Sequence, residues 1–201
     1  MPFFEQPEGA TPIDDISELK IENINTLNEL NKAEMRNILC ALRKHLMSRV
    51  EHPHKWFNFS NLISIHKDMF SDVWEWAGQF RRTQTSIGIQ SYLISTELKK
   101  LCDDAKFWYT GNSLSLLEQA ARIHHRLVWI HPFPNGNGRF ARLVSDMYLK
   151  GCRGKHPNWP TNLQENAVER KKYISTLKAA DEGNFEPLIA YLNFYGASGG
   201  R

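Results

Sequence analysis

What the 201-residue sequence lacks narrows the field first. It has only three cysteines, at positions 40, 102 and 152. They are odd in number, widely spaced and without a CxxC pair. That is no disulfide framework and no zinc motif, so the thiols read as buried or incidental in a reducing compartment. No apolar run approaches the ~18–20 residues that span a membrane, and no membrane partner is expected. An excess of one charge is missing too. A net charge of +3 is too small for general nucleic-acid binding, and no nucleic-acid motif is present. Residues 1–15 carry Glu5, Glu8, Asp14 and Asp15 but no basic side chain and no apolar stretch, which is unlike a signal peptide. A cytoplasmic protein is the expectation. Internal repeats and low-complexity tracts are absent.

The composition itself, 41% hydrophobic and 23% charged, is that of an ordinary globular domain. From Thr26 to about Val50, Leu27, Leu30, Ile38, Leu42 and Leu46 recur at helical spacing, and Asn25 or Thr26 can cap the start. His52-Pro53-His54 reads as an exposed linker. Further helices are predicted over 61–70, 97–109, 114–130, 140–151, 165–180 and 187–195. The one over 114–130 is apolar on more than one side, as expected of a helix central to a bundle. Residues 79–95 break the pattern. Thr85, Ile87 and Ile89 alternate with polar or small residues around Gly88, which predicts a small hairpin whose edge is suited to docking an extended peptide. Seven or so helices with one hairpin make this an all-α domain.

The most informative stretch is His131-Pro132-Phe133-Pro134-Asn135-Gly136-Asn137-Gly138-Arg139-Phe140-Ala141-Arg142, which joins two helix-patterned segments. Glycine permits positive φ and close approach of a ligand to the main chain. Successive N–H groups before a helix start form an anion nest, reinforced by the helix dipole. Arg139 and Arg142, three apart, share one helix face. Three chemistries use such a loop. Zinc ligation by His124, His125 and His131 is disfavoured by their spacing and by the lack of a completing carboxylate. A P-loop is excluded by the missing lysine and hydroxyl. Phosphoryl or nucleotidyl transfer fits, with His131 as general base and the nest and arginines on a polyphosphate.

With these residues in view, His131 to Arg142 resembles the Fic motif, HxFx(D/E)GNGRxxR, at every fixed position but one. Trp76-Ala77-Gly78-Gln79-Phe80-Arg81 and the hairpin after it look like the Fic flap. Thr11-Pro12-Ile13, Glu29-Leu30-Asn31 and the run from Leu177 to Gly183 resemble the subgroup called mobile mystery protein B. The resemblance implies a Fic-type helical bundle with a small β-hairpin flap. Residues 1–55 would form a lead-in and helix, 56–195 the Fic core with C-terminal helices, and 196–201 a tail.

It further implies a protein adenylyltransferase that moves AMP from ATP, with Mg²⁺, to a Ser, Thr or Tyr hydroxyl. His131 would deprotonate the target, and Phe133 would anchor the loop. Gly136, Asn137 and Gly138 would supply the nest, Arg139 would hold the β-phosphate region and Arg142 the γ-phosphate. Ser86, Ile87, Gly88 and Ile89 would pin the target protein. Asn135 stands where the family carries the acidic residue that helps hold Mg²⁺; an amide oxygen still ligates a hard cation but brings no charge. Doc-like relatives, which transfer phosphate, carry lysine where this chain has Gly138, which points to AMP transfer. The family's inhibitory pattern, (S/T)xxxE(G/N), is met in spacing by Thr161 to Asn166, with Thr161 and Glu165 as its key residues. The alternative is a separate inhibitory protein, as in toxin–antitoxin pairs. Transfer of UMP or phosphocholine, and a nucleotide-binding regulatory module with little catalysis, remain open as other readings.

Overall fold

The computed structural model describes residues 17–111, 114–155, 157, 159–160, 163 and 166–197. Its elements are helices: α1 Leu27–Leu42, α2 Pro53–Trp56, α3 Phe59–Phe70, α4 Ile94–Gly111, α5 Leu116–Ile130, α6 Asn137–Gly151, α7 Ala167–Asp181 and α8 Glu186–Ala197. Most starts have a local cause. Thr26 and Glu29 form a reciprocal capping box at α1, which satisfies backbone donors that the first turn leaves open. Asn58, Ser115 and Asn166 cap α3, α5 and α7 through side-chain oxygens. His52 caps α2, with Pro53 at its first position, where the missing N–H costs nothing. The stretch expected as an exposed linker is therefore a one-turn helix, and Pro53 is buried. After Leu42 the helix widens into a π-helical turn, Arg43–Met47, and Lys150 of α6 donates to the Leu46 carbonyl there.

The bundle closes around α5. Its most extensive pairing is with α6. On one side lies the main core, with Leu30, Leu62, Phe70, Trp74, Ile123, Leu127, Phe133 and Phe140 among its buried residues. On the other, Ala121 joins Tyr173, Leu177, Leu188 and Leu192 of α7 and α8. The apolar character of α5 on more than one side is thus used twice, by two separate clusters. His124 and His125 serve this packing. His124 is fully buried, meets the Tyr173 hydroxyl at 2.7 Å and stacks on Trp159; His125 meets Asp181 at 2.8 Å. Among the described residues no group of three or more His, Cys, Asp or Glu side chains is placed to hold a metal ion, and no helix is long and apolar enough to cross a membrane.

The expected hairpin is a correction. No strand occurs among the described residues, and the one isolated bridge pairs Leu19 with Trp74. Residues 84–90 follow a chain of bends instead. Thr85 Oγ1 donates to the Ile87 carbonyl at 2.5 Å and Gln84 Nε2 to the Gly88 carbonyl at 3.3 Å. Gly88 sits at φ 105°, a conformation that an L side chain adopts at a cost. Short-range side-chain bonds have taken the place of ladder bonds.

Buried histidines make this fold sensitive to acid. Burial pushes His66 of α3 and His124 of α5 down to about 3, whereas an unfolded chain titrates near ~6.5. Between those values the unfolded state binds protons that the native state refuses, so stability rises with pH. The urea midpoint should therefore hold above about pH 6.5 and fall as pH drops below it. Each histidine contributes up to ~1.4 kcal/mol per pH unit in that window. A midpoint unchanged between pH 7 and pH 5 would contradict neutral burial.

Candidate active site

The site forms where α5 stops and α6 starts. His131 follows Ile130 in a left-handed conformation, φ 51° and ψ 60°, a cost of roughly 1–2 kcal/mol for a residue with a Cβ. Pro132 disfavours continued helix at the residue before it. The turned backbone is tied at both ends: the His131 N–H donates to the Leu127 carbonyl at 3.1 Å, and its carbonyl accepts from Arg81 Nε at 2.6 Å. Nδ1 lies 3.3 Å from the Val128 carbonyl. That contact makes Nδ1 the protonated nitrogen and leaves the lone pair on Nε2. Burial, with a smaller push from the Arg81 charge against the pull of the Val128 carbonyl, lowers the imidazole to about 4. At neutral pH His131 is a neutral ring.

The loop that follows is locked by its own side chains and by the core. Asn137 grips Phe133 twice, accepting from its N–H at 2.9 Å and donating to its carbonyl at 2.8 Å. Phe133 is buried and lies flat against His66, ring centroids 3.6 Å apart. Gly136 adopts φ 77°, and a Cβ there would meet the Phe70 ring at 2.3 Å. Asn135 Oδ1 accepts the Gly136 N–H at 2.6 Å.

Helix α6 then begins without a side-chain cap. Its first amides, those of Asn137, Gly138 and Arg139, are the donors that a helix cannot satisfy internally, and the positive dipole end sits with them. A Cβ added at Gly138 would lie 3.7 Å from Arg142 Nη1, so the Arg142 guanidinium lies close to this turn. The expected nest therefore takes a particular form: one left-handed glycine, Gly136, followed by an open helix N-terminus.

The two arginines part company. Arg142 is half-buried, lies over the Trp159 ring at 5.9 Å and has Tyr173 and Asp146 as polar neighbours. Arg139 Nη1 instead pairs with Glu34 of α1 at 2.5 Å, and its guanidinium lies 4.9 Å over the Phe70 ring. Glu34 is 2% exposed and also accepts from Trp74 Nε1 at 2.7 Å. The flap is brought to the histidine: a Cβ at Gly88 would strike His131 Cβ at 2.5 Å. Ile87 and Ile89 are half-buried, whereas Ser86 is exposed. Thr161 and Glu165 lie outside the described residues.

Sequence reasoning missed four contributors. Arg81 holds the His131 carbonyl, as above. His66 bridges the loop to the flap's base: it donates from Nε2 to the Asn135 carbonyl at 3.1 Å and accepts the Gly78 N–H on Nδ1 at 3.1 Å. Glu34 sets Arg139. Asp146, one turn beyond Arg142, accepts both Trp159 contacts, 2.9 and 3.0 Å, and burial pushes its carboxyl up to about 8. A polar residue on an apolar helix face was the available signal for His66 and Glu34.

Comparison with known proteins gives the following likenesses. Residues 56–149 match the Fic/DOC family. The protein adenylyltransferase Fic of Culex quinquefasciatus is 29% identical over 158 residues, 77% of this chain and 30% of that protein. Its counterpart in Drosophila grimshawi is 34% identical over 118 residues, 57% of this chain and 23% of that protein. The chain thus spans less than a third of these relatives' length. Among solved structures, the BepC protein of Bartonella tribocorum with bound AMPPNP superposes with a TM-score of 0.64 at 22% identity, over 92% of each chain. Fic-1 of Caenorhabditis elegans gives 0.66 at 22% identity, over 83% of this chain and 48% of that one. These likenesses show the all-α Fic fold.

Two glycines of the loop should behave oppositely. Gly136→Ala forces a Cβ into the Phe70 ring at positive φ and should cost about 2–4 kcal/mol, read as a lower melting temperature. Gly138→Ala has room in an ordinary helical turn and should be neutral or stabilising by up to ~1 kcal/mol. Equal losses at the two positions would contradict this geometry.

Proposed function

We propose, for a chain that carries a Fic/DOC family domain over residues 56–149, a protein adenylyltransferase that moves AMP from ATP to a hydroxyl of a target protein. One observation carries this reading: a neutral, buried His131 stands beside the uncapped N-terminus of α6, with Arg142 close to that turn. The triphosphate is held by the Asn137, Gly138 and Arg139 amides, and Arg142 takes a terminal phosphate. Arg139 contributes to the phosphates only with guanidinium nitrogens not committed to Glu34. Asn137's side chain serves the loop; its backbone N–H serves the ligand.

Transfer is then an in-line displacement. The target oxygen bonds to the α-phosphorus as the bond to the β-phosphate bridge breaks, and pyrophosphate leaves. The hydroxyl proton passes to Nε2 of His131, whose tautomer the Val128 carbonyl fixes. The helix N-terminus and the arginine stabilise charge growing on the leaving group.

The donor set fits magnesium held largely by the nucleotide. No cluster of three or more acidic, His or Cys residues surrounds the site among the described residues, and Asn135 offers one amide oxygen. Mg²⁺ commonly binds through one or two protein groups plus substrate phosphates. When bound, it would neutralise phosphate charge.

Target docking falls to the flap. The Ile87 and Gly88 carbonyls already accept bonds from Thr85 and Gln84, so a target strand would pair mainly with flap N–H groups. A separate inhibitory protein, and a toxin role in the cytoplasm, extend this proposal.

ATP labelled at the α- or γ-phosphate, added to lysate with the protein, tests the proposal. Label should be retained from the α-position alone, and His131→Ala should lower it by ~10²-fold or more. Label from the γ-position would mean a kinase-like reaction. Nucleotide binding without any label would favour a regulatory module, the reading to which the Glu34–Arg139 pair lends weight. The rate should stay flat down to about pH 5 and fall only as pH approaches the His131 value of about 4; an acid limb centred near ~6.5 would contradict the buried base. Asn135→Asp, which keeps an acceptor for the Gly136 N–H and adds charge, should lower the Mg²⁺ concentration needed. An unchanged or raised requirement would remove Asn135 from the metal.

A further inference from the structure

Arg81 is buried, 3% exposed, and no carboxylate among the described residues pairs with it. A guanidinium taken from water without a counter-ion is costly unless its donors are used. Here one fork reaches four carbonyls on two separate segments. Nε donates to His131 at 2.6 Å and Nη2 to Ile130 at 3.3 Å, both at the C-terminal corner of α5. Nη1 donates to Thr83 at 3.0 Å, and Nη2 also donates to Ile89, both in the flap. The Arg81 main-chain N–H donates to the Pro132 carbonyl at 3.0 Å as well.

The α5 carbonyls carry the negative end of the helix dipole, which meets the charge where a carboxylate would otherwise stand. Gly88 completes the arrangement. A Cβ there would collide with Arg81 Nη2 at 2.8 Å as well as with His131, so the flap packs against both groups only because position 88 has no side chain.

We propose that Arg81 is the positioning residue of this site, locking the flap to the left-handed His131 corner so that target docking and imidazole orientation are set by one group. The proposal rests on the transferase reading for its purpose but not for its geometry. Its side-chain bonds all go to the α5 corner and the flap, so it acts through His131 and the flap. Lysine cannot replace it, since three donors on a single nitrogen cannot span carbonyls on two segments. The flap would then be held on one side only, and a hydroxyl lying on it would no longer be registered against Nε2.

The test uses the full chain with Arg81→Lys and Arg81→Gln, read by NMR titration of the His131 imidazole, amide exchange in the flap, and ATP binding. In Arg81→Gln the His131 proton affinity should rise by about twofold or more, since a positive charge beside the ring is removed. Flap amides near Ile89 should exchange at least tenfold faster in both variants. ATP affinity should stay within about twofold of wild type, because the α6 N-terminus is untouched.

Wild-type His131 titration in Arg81→Gln would overturn the proposal, as would wild-type flap exchange in Arg81→Lys. Loss of ATP binding in the folded Arg81→Lys protein would also overturn it, by moving Arg81 into the nucleotide site. If Arg81→Gln fails to fold, the lysine variant's flap exchange and ATP binding decide alone. None of these readouts requires turnover. Failure of the transferase reading would appear instead as unlabelled product with wild-type protein, leaving the Arg81 results standing.

Discussion

Between α5 and α6 the chain must reverse within a few residues while both helices stay packed against each other, and His131 absorbs that reversal at φ 51°. The corner is unfavourable by itself, so its surroundings must hold it. The Leu127 carbonyl takes its N–H, Arg81 takes its carbonyl, and Pro132 prevents the helix from running on. The same corner aims the ring, because the Val128 carbonyl lies where it engages Nδ1. Position, tautomer and charge of the histidine thus share one cause. It is the way α5 is stopped.

Around that corner positive charge is distributed unequally. Arg81 is committed to carbonyls and Arg139 to Glu34, whereas Arg142 lies close to the first turn of α6. The buried Arg81 charge beside the imidazole adds to the desolvation that disfavours protonation of the ring. Asp146 fits the same scheme. Burial pushes its carboxyl up to about 8, which lessens how far it offsets the Arg142 charge.

How much of this could be read from the sequence depended on distance along the chain. The longer helices followed from local periodicity, and Thr26 caps α1 as its position suggested. His131, Gly136 and Arg142 could be singled out because a dozen consecutive residues carry the chemistry. Arg81, His66 and Glu34 could not be assigned, since their partners lie 50, 69 and 105 residues away. The flap misled for the opposite reason. Alternation around Gly88 is compatible with a strand, but Thr85 and Gln84 compete for the carbonyls a ladder would need. The pattern Thr161 to Asn166 lies largely outside the described residues, so its fit to an inhibitory segment is a matter of spacing alone.

The proposed proton transfer depends on the state of one ring. Long-range ¹H–¹⁵N NMR of the imidazole nitrogens at neutral pH reports directly which nitrogen of His131 carries the proton. A neutral ring protonated on Nδ1 and not on Nε2 is the predicted result. An imidazolium, or a ring protonated on Nε2, would contradict it, because neither can take a proton from a hydroxyl presented across the loop.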